Sequence, residues 1–239
     1  MTEQLFRTDA YLKDCEAKVV GINDRGGIIL DRTVFYASAG GQPGDTGELE
    51  IAGRSCPIAT AVWEADKTTI AHVPAGDAQP PTAGDTVRVV LDWDKRHRHM
   101  RMHTALHLLC SLVKFPVTGG QIGADEGRLD FDISDPSGID KDSLTRALND
   151  LVAGNHPVSE RWITDAELDA NPHLVRTMSV KPPTGSGKVR LVVIGTDGEV
   201  DLQPCGGTHV RSTGEIGTLA IAKIENKGKQ NRRIRVVFS

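Results

Sequence analysis

The stretch DWDKRHRHMRMHTALHLLCSLV, residues 92–113, is where the chain changes character. Asp92 or Asp94 offers a side-chain oxygen to cap a helix running to about Val113. Leu106, Leu109 and Val113 recur along one apolar stripe, with Ala105, Leu108 and Leu112 beside it. His103 and His107 stand four residues apart, so both rings leave the same helix face.

Working outward, the pattern upstream is that of strands. Residues 16–22, 26–30, 34–36, 47–51, 56–63, 68–71 and 86–92 are short β-rich runs separated by turn residues, the rhythm of a small barrel or sandwich. Downstream, 128–133, 157–163, 189–194, 216–224 and 232–238 read as strands, and 140–153 and 165–170 as helices. The expected architecture is α+β: a small N-terminal β-barrel domain, 1–92, then an α+β domain with an antiparallel sheet, 93–239.

A chain of 239 residues buries a core without staples. Its 38% apolar and 25% charged residues are ordinary for a globular protein. No apolar run reaches the roughly 20 residues that span a bilayer, and the N-terminus MTEQLFRTDAYLKD carries no apolar signal region. A cytoplasmic protein with no membrane partner is expected. Cys15, Cys56, Cys110 and Cys205 are scattered, which favours free thiols over bridges.

His103 and His107 gain meaning from Cys205-Gly206-Gly207-Thr208-His209, a hundred residues on. Two imidazoles, a thiol and a third imidazole are a set that zinc prefers. The Gly-Gly pair favours a turn, and a helix pair and a turn pair can close one site. His99 and Cys110 share the helix face of His103 and compete as ligands. His99 ranks lower because it sits in the cationic run Arg96-His97-Arg98-His99-Met100-Arg101, and Cys110 because leucines flank it. A zinc peptidase would carry Glu directly after His103, where this chain has Thr104. No Cys-x-x-Cys suggests a zinc finger or ribbon. Gly40–Gly47 is no phosphate-binding Walker loop. Gly185-Ser186-Gly187-Lys188 is discarded as one because a strand follows it where a helix is required.

Positive charge gathers in two places, Lys95, Arg96, Arg98 and Arg101 on the helix, and Lys223, Lys227, Lys229, Arg232, Arg233 and Arg235 near the C-terminus. The two clusters suggest contact with phosphates. With aromatic residues at 4%, extensive base stacking is not expected.

Several ordered motifs resemble the alanyl-tRNA editing domain. They are Arg101-Met102-His103-Thr104-Ala105-Leu106-His107, Gln121-Ile122-Gly123-Ala124, Arg128-Leu129-Asp130-Phe131, Gln203-Pro204-Cys205-Gly206-Gly207-Thr208-His209 and Thr213-Gly214-Glu215-Ile216-Gly217. Gly40-Gly41-Gln42-Pro43-Gly44-Asp45-Thr46-Gly47 is similar to the glycine motif of the longer free-standing versions. Lys227-Gly228-Lys229-Gln230-Asn231-Arg232-Arg233 is similar to their C-terminal signature. The matches run from Phe35 onward, and the size resembles the medium form of the free-standing AlaX group. Two departures stand out: Leu106 occupies a place where the synthetase versions often have Thr, and Ala37-Ser38-Ala39 is less glycine-rich than some relatives.

The resemblance implies a trans-editing hydrolase that removes serine, or glycine, from wrongly charged tRNA(Ala), with the tRNA acceptor end as partner. It implies zinc held by His103, His107, Cys205 and His209. Gly40, Gly41, Gly44, Asp45 and Gly47, with Lys227, Lys229, Arg232 and Arg233, become candidate contacts to the tRNA. Alanine is smaller than serine, so exclusion by size fails and the serine hydroxyl must be rewarded by hydrogen bonds. Thr104, Gln121 and Thr208 are the polar candidates. Three uses of the metal stay open: acidifying a water, polarising the ester carbonyl, or anchoring the substrate. A shell of four protein ligands argues for a closed, structural site. Asp130 and Asp132 are the carboxylates available as a base. The alternatives are a zinc-stabilised tRNA-binding module without catalysis and a hydrolase of small esters or amides.

Overall fold

The β-rich N-terminal runs close into a six-stranded antiparallel barrel. The computed structural model describes residues 1–76, 79–135, 138–178 and 187–239. It divides into two units, Met1–His97 and Arg98–Ser239. In the first unit β1 (Glu3–Gln4) leads into a single helical turn, α1 (Leu5–Thr8). There follow β2 (Asp14–Ile22), β3 (Ile28–Leu30), β4 (Arg32–Thr33), β5 (Gly47–Ile51), β6 (Arg54–Trp63), β7 (Ile70–Pro74) and β8 (Thr86–Leu91). The barrel order is β2-β3-β7-β6-β5-β8, with β8 pairing back to β2, so no strand edge is left open. Val19, Ile28, Leu30, Leu49, Ile58, Ile70, Val87 and Val89 fill its interior.

The expected strand at 34–36 is absent. Val34, Phe35 and Tyr36 are buried, but their backbone is satisfied largely by side chains, with the Tyr36 carbonyl taking the Asp45 amide at 2.9 Å, instead of by a ladder. The Phe35 amide donates to Thr33 Oγ1 at 3.0 Å, the Tyr36 amide to Asp45 Oδ2 at 2.6 Å, and Val34 O accepts from the Arg96 guanidinium at 2.7 Å. Strand β7 starts later than expected because Asp66 Oδ1 takes the amides of Thr68 and Thr69 into a turn.

One buried polar residue in this barrel makes its stability depend on pH. His72 Nδ1 donates to Ile28 O at 3.1 Å and its Nε2 lies 2.8 Å from Thr33 Oγ1. Burial holds its pKa down at about 4, against 6.5 for a free histidine. Its contribution is therefore complete above pH 6.5, where both folded and unfolded chains are neutral. It is lost as pH falls from 6.5 through 4, because only the unfolded chain takes up the proton. The loss is on the order of 3 kcal/mol. Urea unfolding between pH 7 and 4 should be steeper in pH for the unsubstituted protein than for His72→Gln; identical pH profiles would count against this account.

Helix α2 (Trp93–Leu112) begins where β8 ends. Asp92, not Asp94, takes the capping position, its Oδ1 accepting from the Lys95 amide at 3.2 Å. The division between units falls inside this helix, between His97 and Arg98, a turn past the join expected at residue 93.

The second unit continues with β9 (Val117–Ile122), β10 (Glu126–Asp132), α3 (Lys141–Ala153), β11 (Val158–Thr164), α4 (Asp165–Ala170), β12 (Lys188–Ile194), β13 (Asp201–Pro204), β14 (Leu219–Asn226) and β15 (Asn231–Phe238). Two antiparallel sheets result, β14-β15-β10-β9 and β11-β12-β13. The fold is α+β, as expected. Helix α3 is capped by Asp140 and docks on β14, where Asn149 bonds both the amide and the carbonyl of Leu219. The four-stranded sheet lies against α2 at Gly127. A Cβ there would sit 2.7 Å from Met102 and 3.2 Å from Leu106, so glycine sets the close approach.

In the second unit two strands, β9 and β13, were not foreseen. The glycines of Val117-Thr118-Gly119-Gly120-Gln121-Ile122 hide β9, and β13 is short and ends in proline. The strand expected from 216 starts at Leu219, because Thr213–Ile216 forms a 3-10 turn closed by Ser212 and Glu215. Gly185 and Ser186, in the stretch discarded as a phosphate loop, lie outside the described residues. No helix among the described residues is long and apolar enough to cross a membrane.

Candidate metal centre

Helix α2 and the loop after β13 bring four side chains to one point. The ligand atoms of His103, His107, Cys205 and His209 all lie within 4.8 Å of one another. The spacing of four on α2 stacks His103 over His107, with ring centroids 5.3 Å apart. His209 packs against both, at 4.2 and 4.7 Å. Cys205 Sγ stands 3.5 Å from His103 Nε2 and 3.4 Å from His209 Nε2. A tetrahedron built with ordinary zinc–sulfur and zinc–nitrogen bonds has a sulfur–nitrogen edge of about 3.5 Å. The donor set and its spacing therefore fit zinc. The three histidines are buried and Cys205 is half-buried. The group includes neither His99 nor Cys110. Cys110 is a packed thiol whose pKa burial raises to about 11.

The electrostatics favour a cation. Burial would raise the Cys205 pKa, but the charge and hydrogen bond of its His103 neighbour pull it well below the ordinary thiol value, toward the thiolate. Burial, reinforced by His103, holds His209 well below 6.5 and thus neutral. Thiolate and neutral imidazole are the metal-binding forms. Burial also opposes charge on His107. The hydrogen bond to Asp201 and the Cys205 sulfur outweigh it and raise its pKa to about 10. The anionic surroundings that favour a proton there favour a divalent cation in its place.

Around the cluster lie partners that sequence reasoning missed. Asp201 Oδ2 is 2.8 Å from His107 Nδ1 and accepts from Gln203 Nε2 at 2.8 Å. Asp201, Gln203 and Cys205 alternate along one strand and its exit, so they share a face. That two-residue period was the available signal, but β13 had not been recognised as a strand. Thr104, expected to face the substrate, is fully buried and its hydroxyl is saturated inside the protein. It bonds Met100 O at 3.0 Å, His209 Nδ1 at 3.1 Å and the Val210 amide at 3.3 Å. The Thr104 hydroxyl thus stands against His209. Thr208 is buried beside His209 in sequence.

Gln121 is exposed on β9, opposite Arg128 of β10, and its Oε1 accepts from Arg128 Nε at 3.3 Å. It alternates with Ile122, which is buried, and its partner Arg128 with Gly127 on the α2 side. Gln121 thus faces away from α2. The same face carries Asp130, clasped by Arg233 at 2.7 and 2.8 Å and by Arg128 at 2.8 Å. Arg233 and then Arg128 hold its pKa low, so Asp130 is a weak base.

The basic residues near the C-terminus divide in two. Arg233 is tied to Asp130, and Arg235 to Glu225 and Glu126. Arg232 bonds Asn226 and Gly228 O across the β14–β15 turn. Lys227, 3.9 Å from Glu225, and Lys229 are exposed at that turn. On α2, Arg98 pairs with Asp125, and Arg101 lies over the Phe238 ring at 4.3 Å while bonding Ile216 O.

In the first unit the glycine motif has a packing explanation for part of its length. A Cβ on Gly44 would meet Ala61 O at 2.1 Å, and one on Gly47 would meet Val90 O at 2.1 Å. Gly40 and Gly41 are exposed, with φ of 56° and 83°, in the turn bridged by Ala39 and Gln42. Asp45 is buried. Its oxygens accept from Arg96 Nε at 3.0 and 2.9 Å and from the Arg96 amino group, and Arg96 is itself fully buried.

Residues 189–235 match the family of the threonyl and alanyl tRNA synthetase second additional domain, and residues 8–95 match the class II (A) tRNA synthetases. The chain is 36% identical to the alanyl-tRNA editing protein AlaX-M of Methanosarcina acetivorans, over 98% of each chain. It is 31% identical to AlaX-M of Saccharolobus solfataricus, again over 98% of each. Against the alanine–tRNA ligase of Pyrobaculum arsenaticum it is 33% identical over 94% of this chain and 25% of the ligase. With that identity along nearly the whole of both chains, and the four-residue cluster in place, the chain belongs to the AlaX-M family of alanyl-tRNA editing proteins.

Proposed function

We propose that this protein is a trans-editing hydrolase that deacylates mischarged tRNA(Ala), chiefly Ser-tRNA(Ala) and also Gly-tRNA(Ala), with zinc held by His103, His107, Cys205 and His209. The observation that carries the reading is the convergence of those four ligands in a chain of the editing family. When bound there, zinc supplies positive charge that can polarise an ester carbonyl or hold the substrate. The protein's own residues do the rest. His103 and His107 are fixed on one helix and His209 is braced by Thr104, so the reacting end meets a rigid surface. Thr104 has its hydroxyl committed and Gln121 faces away from α2, so Thr208 remains as the candidate for contact with the serine hydroxyl. Gly40 and Gly41, exposed in their turn, remain candidates for the acceptor end, while Gly44, Asp45 and Gly47 hold that turn to the barrel.

The test is deacylation of Ser-tRNA(Ala), Gly-tRNA(Ala) and Ala-tRNA(Ala) by purified protein, with zinc quantified in the same sample. Release of serine with Ala-tRNA(Ala) spared supports the reading. Binding without turnover would instead make the protein a tRNA-binding module, and equal release of all three would end the claim of editing.

The tRNA track is assigned to the exposed turn at Lys227 and Lys229, with Arg232 beside it and Arg233 stiffening its base. Replacing both lysines by alanine should weaken tRNA binding and flatten its salt dependence by about 1.5 in the log–log slope, roughly one counterion per lost phosphate contact. A filter-binding titration across salt concentrations reads it. An unchanged slope would place the track elsewhere.

A further inference from the structure

We propose that two hydrogen bonds just outside the ligand cluster, Thr104 to His209 and Asp201 to His107, set the imidazole tautomers that turn both Nε2 atoms toward one cation. Thr104 and Asp201 are then positioning residues of the metal centre. The proposal rests on the reading that the four side chains hold zinc.

The argument for His209 is a count of protons. Thr104 Oγ1 lies 3.0 Å from Met100 O. A carbonyl oxygen only accepts, so the single hydroxyl proton goes there. The same oxygen receives the Val210 amide at 3.3 Å. His209 Nδ1, 3.1 Å away, can then meet Oγ1 only as an N–H donor. A neutral imidazole has one N–H, so the lone pair sits on Nε2, the atom 3.4 Å from Cys205 Sγ. Thr104 is fully buried, which keeps water from competing for the contact.

For His107 the acceptor is a carboxylate. Asp201 Oδ2 only accepts when ionised, so His107 Nδ1, at 2.8 Å, is the donor and Nε2 is left for the cation. Gln203 Nε2 lies 3.2 Å from the same Nδ1, but it donates to Asp201 Oδ2 at the shorter 2.8 Å and fixes that oxygen in place. Asp201 and Gln203 are themselves buried. The two braces differ in kind. The hydroxyl only orients its ring, whereas the anion also makes its imidazole a stronger donor, so Asp201 carries the larger effect on affinity.

The experiment uses the full chain loaded with zinc. Competition against a chromophoric chelator gives the affinity, and long-range proton–nitrogen correlation on histidine-labelled protein gives each tautomer. Nδ1-protonated His107 and His209 are expected in the unsubstituted protein. Thr104→Val should weaken zinc about 10-fold and Asp201→Ala up to about 100-fold, the range for loss of an outer partner. Thr104→Ser keeps the hydroxyl and should restore affinity; Asp201→Asn keeps an acceptor without the charge and should fall between. An Nε2-protonated His209 or His107, or unchanged affinity in both Thr104→Val and Asp201→Ala, would overturn the proposal. If a variant does not fold, the spectrum of the unsubstituted protein decides. Failure of the unsubstituted protein to take up zinc overturns the four-ligand reading itself, an outcome distinct from zinc uptake with the other tautomers.

Discussion

Replacing Cys205 by alanine is expected to strip the protein of zinc and abolish deacylation. Cys205 is the one ligand whose charge is formally negative, and its sulfur stands between the His103 and His209 nitrogens at 3.5 and 3.4 Å. Without it three imidazoles remain, and the cation loses both a bond and its local counter-charge. The fall in affinity should exceed the roughly 100-fold that loss of an outer partner costs. Because metal bound to the folded state stabilises that state, Cys205→Ala should melt at the lower temperature that chelator imposes on the parent, and chelator should shift the variant no further. Zinc content, melting temperature and serine release, measured together, check it. A variant with full zinc and full activity would remove Cys205 from the ligand set.

The second large effect lies in the barrel. Asp45→Asn should destabilise the protein by about 3–5 kcal/mol, the cost of stranding a buried charge. Arg96 is fully buried and Asp45 is its counter-ion, while the other guanidinium contacts are the carbonyl oxygens of Ala10 and Val34. The same carboxylate takes the Tyr36 amide, so the substitution also disturbs the segment that replaces a strand there. Adding Arg96→Met removes the stranded charge and should recover part of the loss. Denaturant unfolding of the single and double variants reads both. A double variant no better than Asp45→Asn would mean that the carboxylate matters through Tyr36 and not through the ion pair.

Much of this molecule was legible before its fold was known, for reasons tied to particular residues. The four-residue spacing of His103 and His107 places two rings on one helix face wherever the helix goes. The strands at 47–51 and 56–63 and the helix expected over 140–153 follow from patterns internal to a few residues. Legibility failed where long-range partners set the structure. Residues 34–36 look like a strand, yet Asp45 and Arg96 take their backbone bonds. Gln121 lies in β9, a strand that the Gly119-Gly120 pair masks in the sequence. Thr104, expected as a polar contact to the substrate, turns its hydroxyl to Met100, His209 and Val210.

The α+β class, the barrel and the pairing of His103 with His107 on one helix face could be read from the amino-acid sequence, since helix, strand and turn geometry carry local spacing directly into space. Only the tertiary structure decided what stands behind those ligands. Asp201 and Thr104 meet His107 and His209 across 94 and 105 residues of chain, and Asp45 meets Arg96 across 51. Such pairings depend on how sheets and helix pack, and a buried proton or charge finds its partner there, beyond the reach of any local period.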